Sequence, residues 1–88
     1  MKKTNGNNWW CYIVECNDGS LYTGITKDVE KRINSHNSGK GSKYCRGRQP
    51  VKLLVSWFFG SCSDAAKEEY RIKQLSREEK LKLIDSNK

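Results

Sequence analysis

The sequence predicts a small α+β domain with its elements in the order β-β-α-β-α-α, on three observations. Two runs rich in aromatic and β-branched residues flank the turn signal Asn17-Asp18-Gly19 and read as a hairpin. A continuous apolar run, Val51 to Phe59, reads as a third strand. Stretches with helical spacing and capping residues lie between and after these strands. Eighty-eight residues leave room for one domain with one small core, and three Trp, four Tyr and two Phe suffice to anchor it.

Each element has a local cause. Trp9 to Glu15 and Ser20 to Ile25 form the hairpin strands. Thr26 or Asp28 caps a helix that carries Val29 and Ile33 on one face and stops at Ser38-Gly39. Gly39 to Pro50 holds three glycines and the only proline, and reads as a flexible loop. Val51 to Phe59 lacks alternation, so it is expected to be covered on both faces. Ser61 or Ser63 opens a second helix that runs to about Leu75. Ser76-Arg77-Glu78-Glu79 is a capping-box pattern that starts a third, ending near Ile84. Residues 1–8 and 85–88 read as frayed tails around a domain spanning 9–84.

The register of the hairpin decides which side chains can cooperate. A two-residue loop would send Tyr12 and Tyr22 to opposite faces. A three-residue loop with Gly19 left-handed pairs Cys16 with Ser20, Tyr12 with Gly24 and Val14 with Tyr22. That register also gathers Cys11, Ile13, Leu21 and Ile25 on the other face, so binary patterning favours it. Two tyrosines then share a face beside Gly24, whose missing side chain would leave space for a ligand.

The net charge of +7 is confined to one segment. Between Lys31 and Ser63 there is no acidic residue, and Lys31, Arg32, Lys40, Lys43, Arg46, Arg48 and Lys52 supply seven positive charges. The rest of the chain is balanced, which points to an anionic partner, nucleic acid ahead of membrane. No run of about 18 apolar residues could span a bilayer. The apolar stretch after Lys2 and Lys3 is too short for a signal peptide, so reduced thiols in the cytoplasm are expected. Cys11, Cys16, Cys45 and Cys62 contain no C-x-x-C, and His36 lies nine residues from the nearest cysteine, which argues against zinc.

Candidate chemistry sits on the two longer helices. Arg32 and His36, four apart, share a face just after the tyrosine-bearing hairpin and could hold a phosphate. Glu68 and Glu69 are adjacent, and either could bind a hard divalent cation with water completing its shell. Helical phase does not choose between them. Read alone, each group also fits a solvated surface residue.

Taken together, Trp10-Cys11-Tyr12-Ile13-Val14, Leu21-Tyr22-Thr23-Gly24, Lys31-Arg32-Ile33 with His36, and Glu69-Tyr70-Arg71-Ile72-Lys73-Gln74-Leu75 resemble the GIY-YIG endonuclease family, and within it the small stand-alone bacterial members. The likeness covers about residues 9 to 84. Both tyrosines and the second glycine of the name motif are present, while Trp10 replaces the first glycine. The resemblance implies a three-stranded antiparallel sheet flanked by helices, and endonucleolytic hydrolysis of DNA with one Mg²⁺ or Mn²⁺ ion. By position, Glu69 would ligand the metal, Arg32 would stabilise the pentacovalent phosphate, and Tyr12 or Tyr22 would serve or position the base, with His36 assisting. Lys31, Lys40, Lys43, Arg46, Arg48 and Lys52 would grip the flanking backbone of DNA, or of RNA. A partner protein could supply specificity, and structure-sensitive cutting fits a loop suited to phosphates better than sequence readout does. The alternative is a catalytically weak nucleic-acid-binding module on the same fold.

Overall fold

The computed structural model describes residues 8–87, so the expected N-terminal tail lies almost wholly outside the described residues. The elements are β1 (Trp9–Glu15), β2 (Leu21–Thr26), α1 (Val29–Asn37), β3 (Lys52–Phe59), α2 (Cys62–Lys73) and α3 (Arg77–Ser86). The strands form one antiparallel sheet in the order β2-β1-β3. Element order and sheet are as the sequence predicts.

Turn chemistry selects the three-residue loop. Cys16 N–H donates to Ser20 O at 2.8 Å, Gly19 N–H donates to Cys16 O at 2.9 Å, and Gly19 adopts φ +85°. Tyr12 consequently pairs with Gly24, and Val14 with Tyr22. The caps resolve the open choices. Asp28 Oδ1 accepts from Lys31 N–H at 3.1 Å, Ser61 Oγ accepts from Asp64 N–H at 3.1 Å, and Ser76 with Glu79 forms a reciprocal capping box. Helix α2 stops two residues before the expected Leu75. Helix α3 runs past Ile84 to Ser86, and Asn87 accepts from Trp57 Nε1–H at 3.0 Å. Residues 85–87 are therefore helix and cap where a frayed tail was expected.

The strands bury both faces of β1. Cys11, Ile13 and Val55 pack under Ile72 of α2 and Ile84 of α3, with Leu21, Ile25, Trp57 and Phe59 around them. On the opposite face Tyr12, Val14 and Cys16 pack with Cys45, Val51, Tyr22 and Ile33. Strand β3 departs from expectation, because it lies at the sheet edge and is covered mainly on the α2–α3 side. Leu53 and Phe58 stay 40% and 54% exposed. An apolar run without alternation cannot distinguish one covered face from two, and edge position is a tertiary property. Cys11 and Cys16 fall on opposite faces, as their odd spacing requires. Burial pushes the Cys11 thiol up to about 12, so it packs as a small hydrophobe.

The basic loop, expected to be flexible, is folded into successive turns. Cys45 N–H donates to Ser42 O, Arg48 N–H to Cys45 O, and Asn17 N–H to Arg48 O at 2.8 Å, which ties the loop to the hairpin. Asn37 Oδ1 accepts from Val51 N–H at 2.6 Å and fixes its far end to α1.

Candidate active site

Tyr12, Tyr22, Arg32 and His36 converge between β1, β2 and α1. Tyr12 is 1% exposed, and its Oη is hydrogen-bonded to His36 Nε2 at 2.9 Å. The ring centroids of Tyr12 and Tyr22 lie 6.3 Å apart, and Tyr22 meets His36 edge-on at 5.6 Å. Two glycines make this packing possible. A Cβ on Gly24 would stand 2.6 Å from Tyr12 Oη, and one on Gly41 would collide with His36 Nδ1. The space beside Gly24 thus belongs to the Tyr12 phenol rather than to a ligand, a correction to the sequence reading. The reason is that the tyrosine directly opposite in the ladder fills the gap before any ligand can.

Electrostatics keep the pair neutral. Burial raises Tyr12 to about 12, outweighing the opposing pull of the Arg32 guanidinium. Burial first and the Arg32 charge second hold His36 below its usual value, so the imidazole is uncharged at pH 7. Arg32 itself is held more firmly protonated, chiefly by Tyr12. Its Nε is buried and has no hydrogen-bond partner among the described residues, and neither has His36 Nδ1. A buried donor left unpaired costs about 1–3 kcal/mol, a cost this site carries. Arg32 also lines an open cleft with Thr26, Lys27, Asp28, Lys31 and Ser35.

The two carboxylates of α2 are placed differently. Glu68 is held by both nitrogens of an Arg71 fork, at 2.9 and 2.6 Å, which keeps its carboxyl below the ordinary range. Glu69 makes one 3.1 Å contact to Lys73 Nζ, and that same ammonium lies 5.8 Å from the centre of the Tyr22 ring. Glu69 therefore approaches the tyrosines through a cation, while Glu68 is spent on its own helix. Among the described residues no three His, Cys, Asp or Glu cluster to cage a metal. The donor set fits only an ion that keeps most of its water, as Mg²⁺ does, with Lys73 yielding its place on Glu69.

Of the expected backbone-gripping residues, Lys31, Lys40, Lys43, Arg46 and Lys52 are exposed. Arg48 is engaged internally: its Nε bonds Asp18 Oδ2 at 3.1 Å, and its guanidinium caps the Tyr44 ring at 4.3 Å. Tyr44 in turn stacks on Tyr22, 5.7 Å between centroids at 20°. Sequence reasoning missed Tyr44, although it is the aromatic interleaved among the basic residues of the loop.

Comparison with known proteins identifies the family. Residues 8–82 match the GIY-YIG catalytic domain. A UPF0213 protein of Staphylococcus saprophyticus is 56% identical over 75 residues, covering 85% of this chain and 92% of that one. The solution NMR structure of a UPF0213 protein from Bacillus halodurans is 51% identical, with a TM-score of 0.59 over 89% of this chain and 83% of that one. That of an E. faecalis protein is 36% identical, with a TM-score of 0.58 over 93% and 84%. Motif, fold and tyrosine pairing coincide along one stretch of chain, and the protein belongs to the GIY-YIG family of nucleases, beside the small UPF0213 proteins of bacteria.

Proposed function

We propose that this protein is a divalent-metal-dependent endonuclease that hydrolyses DNA phosphodiester bonds and selects its substrate by structure rather than by sequence. The observation that carries the reading is the Arg32 guanidinium, buried at Nε without a partner and set beside the neutral Tyr12–His36 pair. Arg32 binds the scissile phosphate and meets the negative charge that grows on its oxygens in the transition state. A water attacks phosphorus in line with the P–O bond that breaks, and the departing strand oxygen leaves on the opposite side and takes a proton from bulk water. The attacking water's proton passes to Tyr12 Oη as the phenol proton moves to His36 Nε2, which requires the imidazole to be neutral beforehand. Tyr22, braced by Tyr44, walls the site and orients the water. A divalent cation on Glu69 would supply Lewis-acid charge to a phosphoryl oxygen. The exposed lysines and Arg46 hold the neighbouring backbone without reading bases.

The test offers purified protein branched, nicked and single-stranded DNA with Mg²⁺ or Mn²⁺. Cleavage is expected, and Arg32→Ala and Glu69→Ala should each lower it at least about 100-fold while the domain stays folded by circular dichroism. Salt-sensitive binding without cleavage would favour a binding module and sink the enzymatic reading. Activity surviving both substitutions would sink the site assignment.

A further inference from the structure

Outside both cores lies an aromatic pair that the proposed chemistry does not use. Trp10 faces Phe58 across the β1–β3 ladder, and the rings meet edge-on at 5.2 Å and 70°. Neither residue belongs to the buried clusters on the two sides of the sheet, and among the described residues Phe58 is, after Tyr70, the most exposed large hydrophobic residue. Register places the pair on the tyrosine side. Trp10 is two residues before Tyr12 on β1, so Thr26, Trp10 and Phe58 form the row next to Gly24, Tyr12 and Ser56. Rows on one face are about 7 Å apart. Thr26, opposite Trp10, is also a wall of the cleft lined by Lys27, Asp28, Lys31, Arg32 and Ser35. Lys27 Nζ itself lies 5.5 Å from the centre of the Trp9 ring, so Lys31 and Arg32 are the cations that the cleft brings beside the Thr26–Trp10–Phe58 row.

We infer that the Trp10–Phe58 pair is a stacking platform for an unpaired base of a single-stranded nucleic acid whose phosphates follow the Lys31–Arg32 cleft. Aromatic faces beside a cationic track are what single-strand binding requires, because bases stack while the backbone is neutralised. An edge-to-face pair occupies at most one ring face, and Phe58 is 54% exposed, so a face of its ring is open to a base. A base inside a duplex has both faces covered by its neighbours, so only a flap, gap or free single strand can use the platform. The strand's direction toward Tyr12 rests on the nuclease reading, whereas the binding surface does not.

Anisotropy of a short labelled oligothymidylate and of a blunt duplex, both in EDTA so that nothing is cut, tests this inference. Phe58→Ala should weaken the single strand about tenfold and the duplex less than about twofold. Phe58→Trp should retain affinity, while Phe58→Leu should lose it as Ala does. Exposure of Phe58 makes all three tolerable to the fold. Equal weakening of both ligands, or full affinity in Phe58→Leu, overturns ring stacking. No effect on either ligand overturns nucleic-acid docking at this patch. Absence of cleavage in Mg²⁺ with the stacking result intact overturns the nuclease reading alone.

Discussion

The two faces of the sheet are made by alternate residues of the same strands, yet they are solved by different physics. Under α2 and α3, Cys11, Ile13, Val55, Ile72 and Ile84 bury apolar surface against apolar surface. Across the sheet, Tyr12 sits between those neighbours in sequence but faces His36, Tyr22 and Arg32, with two buried nitrogens unpaired. Burial on the first face is apolar apart from Thr23, opposite Ile13, whose Oγ1 is also unpaired, whereas the tyrosine face buries imidazole and guanidinium nitrogens among aromatic rings. Glu68 and Glu69 repeat the contrast on one helix: a closed fork beside an open single contact.

Substitutions that separate the two faces come first. Arg32→Ala should lower cleavage about 100- to 1,000-fold with the thermal midpoint little changed, because removal of an unpaired buried donor offsets the loss of its interaction with Tyr12. A large fall in midpoint would show that Arg32 also holds the fold. Ile72→Ala should do the reverse, costing about 2–5 kcal/mol in urea unfolding and leaving activity per folded molecule intact.

Next comes pH. Tyr12 ionises at about 12 folded against 10.0 when free, so the native state binds more protons above pH 10. Its contribution to stability is complete below about pH 10 and is lost as pH rises toward 12. For His36 the sign is opposite. The native imidazole titrates below its ordinary 6.5, so stability is complete above that value and falls as pH drops. Tyr12→Phe should flatten the alkaline arm of a melting-temperature profile and leave the acid arm in place. An alkaline arm that persists in this variant assigns it to another group.

The smallest effect is expected in the stack that joins the loop to the site. Arg48→Met removes its contacts to Asp18 and Tyr44. A two- to fivefold loss in kcat at constant KM is expected if Arg48 braces Tyr22 through Tyr44. A rise in KM with kcat unchanged would return Arg48 to the substrate-gripping role expected from sequence.

Local rules accounted for much of this protein. Hairpin register, helix caps and the shared face of Tyr12 and Tyr22 follow from Gly19, Asp28, Ser76 and the alternation of β1, because each depends on neighbours within a few residues. Nothing in helical phase distinguishes Glu69 from Glu68, and the proposed choice of Glu69 rests on motif resemblance; packing adds that Glu68 is held by Arg71 while Lys73, beside Glu69, also reaches Tyr22. The one-sided cover of β3, the phenol filling the space at Gly24, and the Asp18–Arg48–Tyr44–Tyr22 stack lay beyond reach of pattern. Each joins residues remote in sequence, and only the closed chain puts them in contact. By itself the sequence determined the order of elements, the face that carries the tyrosines and the segment that carries the charge. Tertiary structure decided which of those charges are free to meet a phosphate, because pairing and desolvation depend on what lies within a few ångströms, whatever its distance along the chain.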